Sequence, residues 1–432
     1  MNITIHRGTH EIGGSCVELQ SGSCRIVIDI GMPLVDKHGE KFNIKNYEKL
    51  KGQELVAQKI LPDIKGFYKW DIQSEKVDGV LISHPHMDHY GFFNYLREDT
   101  TYYIGESAKK IIEMTCLFTS KSYSINNSFT IESGKPVTIG DFKITPYLMD
   151  HSAYDAYAFL IEAEGKKIIY SGDFREHGRK KKAFYYFLQT VPENIDVLIL
   201  EGTMLGRGDE KVRSEAELEA EIDGLVKSSE GITLMNMSAQ NIDRIVSMYR
   251  VAKRNKKLFV MDFYAANILS LLRKTIPHPS AGFPEVRVFY PYRLSKRMAD
   301  AGHKNLLYKF QKYKITRAEI VEKSNDIMML VRGTMLGDLN RLNIRKGLFL
   351  YSMWKGYLRE ESMKPVLEFV EAKDMDFRYV HTSGHAALET LKKTVDSLKP
   401  KVIIPIHSFN PEKYSQFNSQ VKELFDGEVY MV

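Results

Sequence analysis

In the segment HPHMDH, the residues His84, His86, Asp88 and His89 fall within six positions at the end of the apolar run GVLIS. Imidazole nitrogens and carboxylate oxygens are the ligands that a borderline divalent ion such as zinc accepts, and a tight turn sends alternate side chains in different directions. One short motif can therefore serve two metal ions. It cannot fill two coordination spheres, so further ligands must arrive from elsewhere in the chain. Three later apolar runs end in suitable residues: PYLMDH in His151, IIYSGD in Asp173 and VIIPIH in His407. Singly, each suits a hydrogen-bonded surface residue better than a ligand, but beside the motif the balance reverses. Asp173 is the expected bridge between two ions, because a carboxylate bridges where an imidazole does not.

For these ligands to meet, strands must deliver them to one edge of a sheet, where loops hold polar groups in place. The first third of the chain supplies such strands: ITIHRGTHEIGGSCVEL and SCRIVIDIGMP alternate apolar and polar residues between glycines. Residues 36–65 predict a polar loop with a short helix. A second set of short strands follows in FTIESGKPVTIGDFKITPYLMDH, AYAFLIEAEGKKIIYSGDF and NIDVLILEGT. From about residue 212 the period becomes helical in RSEAELEAEIDGLVKSS. Strands GITLMNM and KKLFVMDF then alternate with helices NIDRIVSMYRVAKRN and AANILSLLRKT, which predicts βα units on a parallel sheet. The last segment reads strand, helix, strand, with histidines again at strand ends.

The 432 residues, 43% hydrophobic and 27% charged, are enough for several domain equivalents and exclude a wholly disordered, collagen-like or coiled-coil chain. No apolar run approaches 18 residues and no signal-peptide pattern opens the chain, so a cytoplasmic protein with no membrane partner is expected. Three cysteines without CxxC spacing argue against a disulfide framework and against thiolate zinc, and they point to a reducing compartment. The net charge of +6 is unevenly spread: residues 204–345 carry 25 Lys and Arg against 16 Asp and Glu, a net of +9, which leaves −3 for the rest. Within that region VRVFYPYRLSKRMADAGHKNLLYKFQKYKITR interleaves cations with Phe289, Tyr290, Tyr292, Tyr308, Phe310 and Tyr313. Cations that follow phosphates and aromatics that stack on unpaired bases suit single-stranded nucleic acid. Helical aromatics are more often core, so contact by any one of them is the minority expectation.

Together these motifs resemble the metallo-β-lactamase superfamily and, within it, the β-CASP nucleases of the RNase J-like branch. EIGGSCVEL and IVIDIGMP resemble the family's early strands, HPHMDH its metal motif, and DHSAYDA, SGDFR and PIHS its later ligand segments. Glu201 in LILEGT resembles the β-CASP acidic motif, and His385 in HTSGHA and His407 in PIHS resemble its two histidine motifs. A histidine at the last of these tilts the resemblance toward RNA rather than DNA. The resemblance implies an α/β architecture in which a metallo-β-lactamase αββα sandwich is interrupted by a β-CASP domain, a parallel sheet flanked by helices. The expected boundaries are 1–204 for the first part of the sandwich, 205–370 for the insertion and 371–432 for the second part. The C-terminal domain usual in that branch is not expected here, which removes the basis for its tetramer and leaves a homodimer to consider.

What the resemblance implies chemically is a zinc-dependent ribonuclease, with manganese as the other metal considered, acting on single-stranded RNA by two-metal activation of water in 5′-to-3′ exonuclease and endonuclease modes. Asp88, Glu201 and His385 are the expected catalytic residues, with His385, raised in pKa by Glu201, protonating the leaving oxygen. Ser238, Asn241, Arg244, Ser383 and His385 are expected to contact the substrate. Ser383 and Gly384 would offer donors at the start of the AALETLKK helix, and His381 is a supporting residue. The alternatives are a DNA-directed β-CASP nuclease, a small-molecule hydrolase of the same fold, and an inactive RNA-binding scaffold. The small-molecule reading leaves the insertion without a purpose, and the scaffold reading conflicts with a full set of seven candidate ligands.

Overall fold

The structure is a computed structural model that describes residues 1–36, 39–119, 125–207 and 212–432. The chain divides into two compact units, one of Met1–Glu176, Lys180–Lys211 and Gly384–Val432 and one of His177–Arg179 and Val212–Ser383. The second unit therefore runs on past residue 370, the expected end of the insertion. The physical reason is a strand, Met375–Tyr379, that pairs in parallel with Gly347–Tyr351 of the second unit's sheet.

The first unit opens with strands β1 (Asn2–Arg7), β2 (Cys16–Ser21), β3 (Cys24–Ile28), β4 (Gly79–Ile82), β5 (Tyr102–Gly105) and β6 (Ser128–Ile131). It continues with β7 (Val137–Ile139), β8 (Phe142–Leu148), β9 (Tyr157–Ala163), β10 (Lys166–Tyr170) and β11 (Val197–Glu201). The second unit contributes β12 (Ile232–Asn236), β13 (Leu258–Asp262), β14 (Val286–Phe289), β15 (Ile327–Val331), β16 (Gly347–Tyr351) and β17 (Met375–Tyr379). The first unit then resumes with β18 (Val402–Ile406), β19 (Gln420–Val421) and β20 (Val429–Met431).

Two seven-stranded sheets form the first unit, in the orders β20-β1-β2-β3-β4-β5-β6 and β19-β18-β11-β10-β9-β8-β7. Side chains alternate between the faces of a strand, and both faces are buried here. Ile26 and Ile28 of β3, Ile168 of β10 and Ile199 of β11 join one cluster with Ile3, Ile5 and Phe159 between the sheets. Val27 packs on the other face with Val80, Ile82 and the helical Ile112. Ile169, Leu198 and Leu200 pack on theirs with Phe184, Leu391 and Val395 from two further helices. Burial on both faces is why these strands read as continuous apolar runs, and the result is an αββα sandwich.

The second unit holds a six-stranded sheet, β14-β13-β15-β12-β16-β17, in which every pairing is parallel. Its strands are linked by helices that include Ile242–Arg254, capped by the Asn241 side chain, and Phe263–Ser270, capped by Asp262. The alternation of apolar strand and amphipathic helix read from the sequence is the pattern such crossovers need.

Candidate metal centre

At the end of β4 the chain turns through Ser83 and His84 into a single helical turn, Met87–Tyr90, with His86 at its N-cap. The turn is pressed against Gly31, where a β-carbon would lie 1.6 Å from the Asp88 carbonyl oxygen. Only a glycine lets the two backbones approach so closely, so the position of the histidine motif depends on it.

Three groups of potential ligands converge. His84, His86 and His151 form one; Asp88, His89, Asp173 and His407 form the second; Glu201, His385 and His407 form a third, with ligand atoms within 4.8 Å of one another in each. The seven residues expected as ligands are thus brought together from the ends of β4, β8, β10 and β18. Asp173 stands between the sets: its Oδ2 lies 3.3 Å from His89 Nε2 and 3.7 Å from His84 Nε2, and its Oδ1 lies 3.8 Å from His407 Nδ1. His151 Nε2 is 3.3 Å from His86 Nδ1, and His407 Nε2 is 3.4 Å from Asp88 Oδ2.

Partners behind the histidines aim them. His89 Nδ1 donates to Asp29 Oδ2 at 2.8 Å and His151 Nδ1 donates to the Gly384 carbonyl at 2.6 Å, which leaves Nε2 of each ring facing the cluster. Asp29 also accepts from Ser83 N at 2.8 Å, from Ser83 Oγ at 2.6 Å and from the Tyr170 hydroxyl at 2.9 Å. His407 Nδ1 shares a 2.7 Å hydrogen bond with Thr203 Oγ1. A carboxylate or carbonyl behind a ligating imidazole fixes its tautomer and raises its basicity. Asp29 and Thr203 were not singled out in the sequence. Asp29 closes an apolar run, the same signal that marked Asp173.

The electrostatics fit cations. Burial, reinforced by neighbouring histidines, holds His84 and His151 well below the usual imidazole range, and burial also lowers His86. Burial thus favours in these three rings the neutral form that ligates, whereas the carboxylates Asp173 and Asp29 raise His89, and Asp173 and Asp88 raise His407, against the effect of burial. Burial would raise the Asp173 carboxyl, but the fields of His407, His89 and His385 outweigh it and hold the group well below its ordinary value. Asp88 is likewise lowered, its hydrogen bond to His407 overcoming burial. His84 Nε2, His89 Nε2 and Asp173 Oδ2 are buried without a hydrogen bond among the described residues. Buried polar atoms of this kind are costly unless something binds them, and a nitrogen and oxygen donor set that faces inward fits divalent metal ions.

Glu201 and His385 adjoin the cluster. His385 Nδ1 is 3.6 Å from Glu201 Oε2 and 3.7 Å from Asp173 Oδ2, with the ring about a fifth exposed. The Glu201 oxygens themselves accept from Thr203 N at 2.9 Å and Ala386 N at 3.0 Å. Glu201 thereby ties the backbone next to His385 to that of Thr203, whose hydroxyl bonds to His407 Nδ1.

The expected substrate contacts divide. Ser238 is exposed and Asn241 half-buried at the N-terminus of the helix Ile242–Arg254. Arg244 is corrected: its side chain is fully buried, with Nε and one terminal nitrogen donating to Glu215 at 3.1 and 2.9 Å and the other to the Val380 carbonyl at 3.1 Å and to Ser352 Oγ. A guanidinium held in this way is not available to phosphate. Ser383 and Gly384 do not open a helix, because the helix Leu388–Leu398 begins beyond them with Ala387 as its cap. The Ser383 carbonyl accepts from His177 Nε2 at 2.8 Å, and His381 is half-buried near Tyr379.

Four layers with candidate histidine and aspartate ligands at the strand ends are consistent with the metallo-β-lactamase fold, and a family model described as "Beta-lactamase superfamily domain" matches residues 65–243. The chain is also similar to ribonuclease J proteins. It is 24% identical over 425 residues to ribonuclease J of Helicobacter pylori, covering 94% of this chain and 56% of that one. It is 23% identical over 349 residues to ribonuclease J of Mycoplasma genitalium, covering 77% of this chain and 58% of the relative. The chain thus spans a little over half the length of these curated relatives. A solved structure of a protein of unknown function from Enterococcus faecalis V583 shares the fold throughout, with a TM-score of 0.76, 20% identity and coverage of 100% of this chain and 99% of that one.

Proposed function

We propose that the protein is a zinc-dependent ribonuclease that hydrolyses phosphodiester bonds of single-stranded RNA, in 5′-to-3′ exonucleolytic and endonucleolytic modes. The observation that carries this reading is the convergence of seven nitrogen and carboxylate ligands around buried atoms of His84, His89 and Asp173 that lack hydrogen bonds among the described residues. Similarity to ribonuclease J supports RNA as the substrate. The imidazole-rich ligand groups support zinc, with manganese as the next choice.

His84, His86 and His151 would hold one ion and Asp88, His89 and His407 the other, with Asp173 shared. Bound divalent ions supply Lewis acidity, an acidified water and neutralisation of phosphate charge. Asp88, half-buried and ionised, accepts a hydrogen bond from the attacking water and so orients it. As the water oxygen bonds to phosphorus and the P–O3′ bond breaks, His385 delivers its proton to the departing 3′-oxygen. The products are a 5′-phosphate and a 3′-hydroxyl. Glu201, which accepts from Ala386 N and Thr203 N, holds the His385 loop in position. Among the described residues no helix is long and apolar enough to cross a membrane. The three cysteines are buried and free, which supports a cytoplasmic location.

The test is cleavage of 5′- and 3′-labelled RNA carrying a 5′-monophosphate or triphosphate, with matched DNA, by metal-loaded protein. Processive loss of the 5′ label together with internal cuts in RNA is expected. Cleavage of DNA at an equal rate, or none of RNA, would overturn the reading.

A further inference from the structure

Cations in the second unit fall into two kinds. Along the helices Glu215–Ser228 and Ile242–Arg254 they are paired: Arg254 with Glu219 at 2.6 Å and with Asp223 at 3.3 Å, and Lys227 with Asp223 at 2.7 Å. Between residues 286 and 317 the balance is different, with nine Lys and Arg against the single acid Asp300. This stretch forms β14, the helices Tyr292–Asp300 and Lys304–Tyr308, and a short turn at Gln311–Tyr313. It closes on itself: Ile315 N donates to the Val288 carbonyl at 3.0 Å, and Tyr292 N donates at 3.0 Å to Asp338, which also pairs with Arg317.

On this surface Arg293, Lys296, Lys304, Lys312 and Lys314 are exposed, and none makes an ion pair among the described residues. Two tyrosines, Tyr292 and Tyr308, are each 58% exposed, the most open tyrosines among the described residues. The remaining aromatics of the stretch are placed otherwise. Phe289 and Phe310 are core, 3% and 5% exposed, and Tyr290 stacks on Phe263 with ring centroids 5.3 Å apart. A folded surface gains nothing by leaving five cations without acids and two large rings in water. A flexible polyanion with aromatic bases uses both, the cations along its phosphates and the rings under its unpaired bases.

We propose that the surface formed by Tyr292–Asp300, Lys304–Tyr308 and Gln311–Lys314 is a platform for single-stranded RNA, built wholly within the second unit and holding the strand outside the bond being cleaved. The proposal rests on the ribonuclease reading for its ligand but not for its test. Its five cations have no ion-pair partner among the described residues, and two exposed rings give it a preference for single strands that charge alone lacks.

Binding of a phosphorothioate RNA of about 20 nucleotides, which resists cleavage, is measured over a range of salt with the metal-loaded 432-residue chain. A duplex of the same sequence and poly-glutamate serve as competitors, and cleavage of a dinucleotide is followed in parallel. The triple variant Arg293→Ala, Lys304→Ala, Lys312→Ala is expected to flatten the slope of log affinity against log salt by about 2, at about 0.7 per phosphate contact. Tyr292→Ala with Tyr308→Ala is expected to weaken binding about 10-fold at an unchanged slope. Dinucleotide cleavage stays at the wild-type rate in both. Removal of the paired lysines Lys135, Lys143 and Lys227 is the control and leaves the slope unchanged. Wild-type affinity and slope in the two surface variants would overturn the platform, as would duplex or poly-glutamate competing as well as the single strand. Failure of the wild-type protein to cleave any RNA would overturn the nuclease reading alone, since binding is read separately.

Discussion

Asp173 in the first unit and Arg244 in the second are both buried charges, at 3% and 0% exposure, but their surroundings differ. Arg244 makes four hydrogen bonds, to Glu215, Ser352 and Val380, and its charge is matched by one carboxylate. Asp173 has an oxygen with no hydrogen bond among the described residues, and two buried imidazole nitrogens near it share that condition. A buried polar atom without a hydrogen bond is costly, which makes it a candidate for binding a ligand. A saturated buried pair holds its fold together and has nothing left for a substrate. At these two residues it is saturation, and not burial, that differs, and it marks Asp173 as a candidate for chemistry and Arg244 as scaffolding.

The contrast breaks most sharply at a ligand. His86→Ala is expected to lower RNA cleavage by more than about 1,000-fold with the fold intact by circular dichroism; a folded, metal-loaded variant with full activity would contradict it. His385→Ala, beside the ligands, is expected to lower turnover by about 10²- to 10⁴-fold. Its metal content, measured by elemental analysis, should stay at the wild-type level, and loss of metal in step with activity would remove the division between ligand and proton donor. On the saturated side, Arg244→Ala strands Glu215 and should destabilise the second unit by about 3–5 kcal/mol in urea unfolding. Arg244→Met with Glu215→Leu should recover most of that loss, as replacement of a whole buried pair generally does. The smallest effect is expected at Asp29→Asn, which keeps the left-handed backbone at that position, φ 62°, within reach of the new residue. It should weaken metal binding by about 10- to 100-fold through His89.

The candidate ligands were legible as a set because each is local to a strand end and because four such residues within six positions form a distinctive motif. Asp29 carried the same strand-end signal but no spacing to distinguish it, and its role appears only when the fold brings His89, 60 residues away, against it. Arg244 was misread for the converse reason. Its type suits phosphate, and nothing in its neighbourhood of the sequence announces Glu215, 29 residues earlier, as its partner. The strand Met375–Tyr379 was legible as a strand but not as a member of the second unit, since an alternating segment has the same pattern whichever sheet it joins. Ser383 was placed at a helix start because AALETLKK is a strong helix former, but the first turn waits until Leu388. Aromatics in the basic stretch could not be sorted into core and surface by sequence, because helix, strand and turn alternate there within a few residues.

The most direct test of the central claim is the metal content of the purified chain, read together with RNA cleavage as metal is withdrawn by chelator and restored. About two equivalents of divalent metal per chain are expected, lost together with cleavage, regained together on addition of zinc, and absent from Asp173→Ala. Full cleavage by metal-free protein, or an Asp173→Ala chain that keeps both ions and its activity, would contradict the account.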